Sequence, residues 1–239
     1  MRFETTIGFA ARRLMASKSK ETTAPAQTGD SSVPMAAEAT LDELTLLDWK
    51  RRVFDLYAEV RADPDPERAW RHWRETRDGL FRVHPSSPIP PEGRSSFPGL
   101  PFFDYDPELR LLAVVEPAEP ALREIATSGE GPYTFRRFAR ARFGLAGDER
   151  TLDLFWLEGY GGGVFLSFAD ATSGRETYGA CRYLLDTVKG ADLGEQDGRL
   201  VLDFNFAYNP SCSYDPRWVC PLAPPENRLS VPVRAGERV

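Results

Sequence analysis

The residue pattern predicts a mainly β domain with N-terminal helices, an α+β fold. Apolar residues recur every three or four positions between residues 40 and 78, then alternate one by one beyond residue 101; these are the periods of helix and strand. Short turn-forming separators divide the alternating runs, so sequential strands pair antiparallel, because parallel neighbours need a crossover of a dozen or more residues. About eight such runs predict an antiparallel β-barrel or a two-sheet sandwich, capped by two helices, which limits exposed strand edges.

Residues 1–39 are expected to be a disordered tail and linker. Arg2, Arg12, Arg13, Lys18 and Lys20 surround a short apolar patch at Ile7–Ala11. That patch is too short for a signal-peptide core and gives a membrane-surface helix only a narrow apolar face. A Ser/Thr/Ala/Pro-rich stretch follows, and Met35 offers a second start. Residues 40–239 then form a single β-rich domain, long enough to bury a core without covalent staples.

Thr40 with Glu43 forms a capping-box signature. Leu46, Trp49, Val53, Tyr57 and Val60 place one apolar stripe on a helix of about twenty residues, which Asp63-Pro-Asp-Pro66 stops. Asp65 caps a second helix over about 66–78, packed through Trp70 and Trp73 and ended by Gly79. Five prolines between Leu80 and Pro101 remove ladder donors and predict an ordered loop. Strands are then expected at Arg110–Glu116, Leu122–Thr127, Tyr133–Phe143, Thr151–Glu158, Val164–Phe168, Cys181–Thr187, Leu200–Phe206 and near Leu229–Val233.

Hydrophobic content of 41% and aromatic content of 12% are those of a globular chain. A dispersed net charge of −6 argues against nucleic acid as a partner, since such binding rests on neutralising phosphates. No apolar run is long enough to span a bilayer, so no membrane partner is expected. Three cysteines, Cys181, Cys212 and Cys220, make no disulfide framework and point to a reduced, cytoplasmic protein. Their spacing lacks the close pairs of structural zinc sites, and His72 and His84 lie far upstream, so no metal is expected. A Cys212–Cys220 disulfide and simple burial both remain open for these thiols.

Gly161-Gly-Gly163 matches neither phosphate-binding glycine pattern and reads as a hairpin turn; no G-x-S-x-G elbow is present. Chemistry-bearing residues crowd instead after Gly174. Alternation puts Arg182 and Asp186 on one face of their strand, and Asp203 and Asn205 on one face of theirs. If those strands are hairpin neighbours, the groups meet: the arginine keeps the acids ionised, or the set is an ion-pair network fixing register. Glu176 and Tyr178 share parity after a glycine turn, and Tyr208 opens an aromatic–proline loop running to residue 227.

Phe97-Pro-Gly-Leu-Pro-Phe-Phe103, Gly174-Arg-Glu-Thr-Tyr-Gly179 with Arg182-Tyr183, and Asp203-Phe-Asn205, Tyr208-Asn-Pro210, Cys212, Cys220-Pro and Pro225-Glu-Asn227 resemble the family called domain of unknown function 1684. The likeness covers roughly residues 45–237. It implies one compact domain with residues 1–39 outside it, and supplies no activity, cofactor or site residue.

Two functions are therefore expected as alternatives. One is a pocket for a polar small molecule, with or without catalysis, lined by Glu176, Tyr178, Arg182, Asp186, Asp203, Asn205 and Tyr208. In it Arg182 holds an anionic group, and Glu176 or Asp203 moves a proton if there is chemistry. The other is a non-catalytic module that docks a partner protein on loop 208–227. Neither ligand identity, cofactor nor oligomeric state can be read from the residues.

Overall fold

The computed structural model describes residues 35–239, with side chains from residue 42 onward. The tail expected over 1–39 falls outside the described residues up to position 34. Positions 35–39 are already helical, since α1 spans Met35–Ala62. Thr40 therefore lies inside α1 and does not start it.

Leu56, Tyr57 and Val60 form the buried part of the α1 stripe, while Leu46 stays half-exposed near the upstream end. The Asp63 to Pro66 turn ends α1, and Asp65 accepts from the amides of Glu67 and Arg68 at 3.1 Å each to cap α2, Pro66–Val83. That cap was legible; the end of α2 was not. Gly79 sits within the helix because burying Leu80 and Phe81 outweighs glycine's cost of about 1 kcal/mol. The helix stops at His84, which precedes Pro85 and takes an extended conformation.

Seven antiparallel strands form one curled half-barrel sheet, in the order β5-β4-β3-β2-β1-β7-β6. The α+β class expected from the residue pattern is present. β1, Arg110–Ile125, is one long strand, not the two expected. Its pairing with β2, Tyr133–Leu145, slips between Pro117 and Ala121, where Pro120 has no amide hydrogen to donate. β3, Asp148–Leu157, and β4, Val164–Phe168, continue the meander to β5, Arg182–Asp186. β6, Glu195–Gln196, and β7, Arg199–Asp203, close the other edge. Residues Phe204–Phe206 turn into a 3-10 helix, which shortens the strand expected there.

Two further expectations are corrected. β5 and β7 are not hairpin neighbours, because four strands separate them in the sheet. Nor is Leu229–Val233 a strand: it runs irregularly over the sheet, held by Leu229 N–H to Ala169 O at 2.8 Å and by burial of Leu229, Val233 and Ala235 in the main core. That core is built from one face of the sheet, with Ala113, Ala141, Phe143, Leu152, Leu166, Phe168 and Leu202. The other face of β2 carries Arg137 and Arg140, both paired to Asp153, and Arg142, paired to Glu116.

A second core joins the helices to the sheet through Trp70, Trp73, Ala191 and Phe206. Trp70 donates its indole hydrogen to the Asn205 carbonyl at 2.9 Å. No helix among the described residues is long and apolar enough to cross a membrane.

Candidate functional site

The α1–α2 pair does not seal against the sheet along its whole length. Between Trp49 on α1, the proline-rich turn at Ser86–Pro88, the end of β5 and residues 211–221 lies a cleft of about 350 Å³. Its walls are mostly apolar: Trp49, Pro88, Phe135, Phe165, Trp218 and Pro221. Polar groups gather at one side, where Lys189 pairs with Asp186 at 3.1 Å. A smaller recess of about 60 Å³ shares Trp49, Pro88, Lys189 and Ser211 with the cleft and continues inward to Tyr57, Arg77, Tyr208 and Asn209.

Local sequence explains why this lining is held firmly. Lys189 ends a 3-10 turn over Thr187–Lys189, closed by Gly190 at φ +88°; a side chain there would press on the Phe54 backbone and ring at 3.0–3.2 Å. The loop after Tyr208 is anchored at both ends. Tyr208 exchanges backbone hydrogen bonds with Tyr183 at 2.8 and 3.1 Å. Tyr183 also donates its phenol hydrogen to the Pro221 carbonyl at 2.5 Å, and Arg217 donates to the Ser87 carbonyl at 3.1 Å.

Electrostatics make the recess a donor-rich place. Burial pushes the Tyr57 phenol up to about 12, and raises Tyr208 and Tyr183 well above the ordinary phenol value. All three therefore stay protonated at neutral pH. The Arg77 guanidinium lies 4.9 Å from the Tyr208 ring centre and 4.8 Å from that of Trp73. Asn209 is buried; its amide nitrogen donates to the Arg238 carbonyl at 3.0 Å, but its Oδ1 has no partner among the described residues. An unpaired buried amide oxygen is costly and calls for a donor.

Of the seven residues expected to form one pocket, the structure brings only Asp186 and Tyr208 to this cleft and its recess. Arg182 is buried and held by three bonds: it donates to Asp170 at 2.6 Å, to the Val233 carbonyl at 2.9 Å and to the Ala235 carbonyl. Its Asp170 partner comes from the loop after β4, not from β7. Glu176 lies near the surface in a two-pronged pair with Arg234 at 2.9–3.2 Å, which holds its carboxyl below the usual range. Tyr178 faces Cys212, its hydroxyl 3.9 Å from the sulfur.

Asp203 and Asn205 do meet, but elsewhere and not across a strand face: Asp203 ends β7 and caps the 3-10 turn that holds Asn205. The Asp203 carboxylate accepts from the Asn205 amide at 3.0 Å and from its side chain at 2.8 Å. Asn205 is bonded in turn to both backbone groups of Asp106 at 2.8 and 2.9 Å. Burial raises Asp203 to about 6 despite those bonds and the Arg110 guanidinium 4.0 Å away. It borders a separate depression of about 460 Å³ lined by Arg61, Pro66, Arg110 and Gln196. The single shared hollow is thus corrected: β4, β3, β2 and β1 lie between β5 and β7, so groups that a hairpin would have joined sit in different parts of the fold.

Several cleft residues carried no chemical signal in the sequence. Trp49 and Arg77 belonged to helices read only for packing, although Arg77 occupies an apolar-stripe position four residues after Trp73. Lys189 sits in a turn whose path depends on tertiary contacts, whereas Asn209 and Trp218 belong to the aromatic–proline loop already singled out in the sequence. Within loop 208–227 the aromatic rings turn inward, with Tyr208 against Tyr183 and Tyr214 against Phe81. Among the described residues no group of three or more metal-ligating side chains converges.

A comparison with solved structures found a protein of Haloarcula marismortui, from gene locus rrnAC0354, determined by solution NMR and described as uncharacterized. It is 36% identical, the match covers 72% of this chain and 94% of that one, and the TM-score is 0.53. A comparison with curated proteins found no match. The family model described as protein of unknown function (DUF1684) matches residues 95–238, which takes in the whole sheet, the 208–227 loop and the buried C-terminal segment. The chain belongs to that DUF1684 family.

Proposed function

We propose that the protein binds a small amphipathic molecule in the cleft between Trp49 and Trp218. The apolar body lies against Phe135, Phe165, Pro88 and Pro221. A compact polar end, of hydroxyl or amino size, enters the recess and donates to Asn209 Oδ1, while Lys189 and the protonated Tyr57 and Tyr208 supply donors to its acceptors. Asp186 and Tyr208 keep the ligand-binding roles expected of them. The observation that carries this reading is the unpartnered oxygen of buried Asn209 on the wall of the recess. Apolar walls with a few convergent polar groups are the usual make-up of a small-molecule site.

Docking of a partner protein on loop 208–227 has less support, because Val219 is the only large hydrophobic residue of that segment that is strongly exposed.

The test is a thermal-shift and tryptophan-fluorescence titration with small hydroxy and amino acids bearing apolar side chains. A member of the set should raise the melting temperature and change Trp49 and Trp218 emission. Lys189→Ala and Trp218→Ala should each weaken that ligand at least tenfold. Absence of any response across the set, or equal affinity in both variants, would overturn the reading.

A further inference from the structure

The three thiols are not equivalent. Cys181 is wholly buried on the sheet, and burial raises its thiol to about 12, so it is inert as a nucleophile. Cys212 lies in the 3-10 turn Ser211–Ser213 and is partly open to solvent. Cys220 is buried and placed against it: the Cys212 amide points at the Cys220 sulfur at 3.4 Å. Two bonds to Ser128 lock Cys220 in place, its amide donating to the hydroxyl at 3.0 Å and its carbonyl accepting from the amide at 3.0 Å. The Tyr178 hydroxyl lies 3.9 Å from the Cys212 sulfur.

This is the layout of an attacking thiol with a resolving one behind it. The Cys220 thiol, with help from the Tyr178 hydroxyl, lowers the Cys212 pKa, while Cys220 is raised. Cys212, the more open of the two, is the sulfur that a small disulfide reaches first, and buried Cys220 stands behind it. All three cysteines are free thiols.

We propose that Cys212 and Cys220 form a dithiol–disulfide exchange site for low-molecular-weight disulfides, with Tyr178 as a positioning residue. The Cys212 thiolate attacks one sulfur of the small disulfide, forms a mixed disulfide and expels a thiolate. Cys220 then loses its proton and attacks the Cys212 sulfur, which breaks the mixed disulfide and releases the second thiolate. The protein is oxidised by two electrons to the Cys212–Cys220 disulfide. The small disulfide is reduced to two thiols, which take up the two protons lost by the cysteines.

The experiment uses the full reduced chain, oxidised glutathione as the probe, quenching with iodoacetamide and tryptic mass mapping. Cleavage after Arg217 separates the two cysteines, so the internal disulfide is read as peptide Leu200–Arg217 joined to Trp218–Arg228. That joined pair should accumulate, while Cys181, in peptide Glu176–Arg182, stays a thiol. Cys220→Ser should stop at the mixed disulfide on Cys212, and Cys212→Ser should react at least tenfold more slowly. Alkylation of Cys212 should titrate with a midpoint below the ~8.5 of an ordinary thiol, and Tyr178→Phe should move that midpoint up. A persistent mixed disulfide in the unaltered protein would overturn the proposal, as would pairing through Cys181 or reaction only after unfolding. Because the joined peptide is sought in the unaltered chain, misfolding of a variant does not shelter the idea. A negative result here leaves the cleft's ligand-binding test untouched.

Discussion

Arg77 and Glu237 meet at 3.4 Å, 160 positions apart in the chain, and the Glu237 carboxylate has no exposed surface. Glu237 also accepts from the Asn209 amide at 3.0 Å and from the Tyr214 hydroxyl. One carboxylate therefore joins α2, loop 208–214 and the last residues of the chain beside the recess.

Removing one partner should leave an uncompensated buried charge. Arg77→Ala should destabilise the fold by about 3–5 kcal/mol, as should Glu237→Ala. The double change Arg77→Met/Glu237→Leu should recover much of that loss, because well-packed apolar residues often replace a buried ion pair without penalty. Urea unfolding of the three variants checks this; a double variant no better than either single one would count against it.

Asp203 sets a pH dependence. Burial, partly offset by the Asn205 bonds, raises its folded value to about 6, while in the unfolded chain it ionises near pH 4. Between these values the folded state holds a proton that the unfolded chain has released. Its stabilising contribution is thus full below about pH 4 and is lost as pH rises through about 6, on the order of 3 kcal/mol. Asp203→Asn should flatten that part of the stability curve, measured by urea midpoints from pH 4 to 7. An unchanged slope would show that another group titrates there.

Asn227 should be a strong stability determinant with no exposed surface. Its side chain donates to the Asp153 carbonyl at 3.0 Å and the Ser167 carbonyl at 2.9 Å, and accepts from the Asp153 amide at 2.7 Å. Asn227→Ala leaves three buried backbone groups without these bonds, for a loss of a few kcal/mol. Asn227→Asp should cost at least as much, since a carboxylate cannot donate. Denaturant unfolding reads both.

Two glycines separate backbone strain from crowding. Gly131 and Gly236 share φ +77°, but a side chain at Gly131 meets open space, whereas at Gly236 it meets the Ala207 carbonyl at 2.5 Å and the Phe204 carbonyl at 2.8 Å. Gly131→Ala should lose about 1–2 kcal/mol from the left-handed backbone alone. Gly236→Ala should lose clearly more and weaken the Arg77–Glu237 contact next door. Equal losses would mean that the C-terminal segment yields freely.

Local physics made much of the fold legible. The Asp65 cap and the three- and four-residue stripe each depend on neighbours a few positions away, and both are present. Long-range competition explains the misses. Leu80 and Phe81 carry α2 through Gly79, and Pro120 interrupts pairing without ending β1. Phe204 gives up the strand to pack on Phe143 and Phe168. For the candidate site the limit was strand order: parity along one strand says nothing of which edge of a seven-stranded sheet it occupies, and Asp203 meets Asn205 as the cap of a 3-10 turn, not across a shared strand face. Arg77 was the clearest unused signal, an arginine spaced to face inward beside Trp73.

Because Glu237 completes the electrostatic balance of a helix that begins at Pro66, synthesis order constrains maturation. A nascent chain displays α2 with its arginine long before the matching carboxylate leaves the ribosomal exit tunnel. Until then the Arg77 guanidinium lacks its buried partner, and a partly formed domain with exposed apolar surface is open to aggregation. Translation products that stop short of Glu237 should be cleared by proteases.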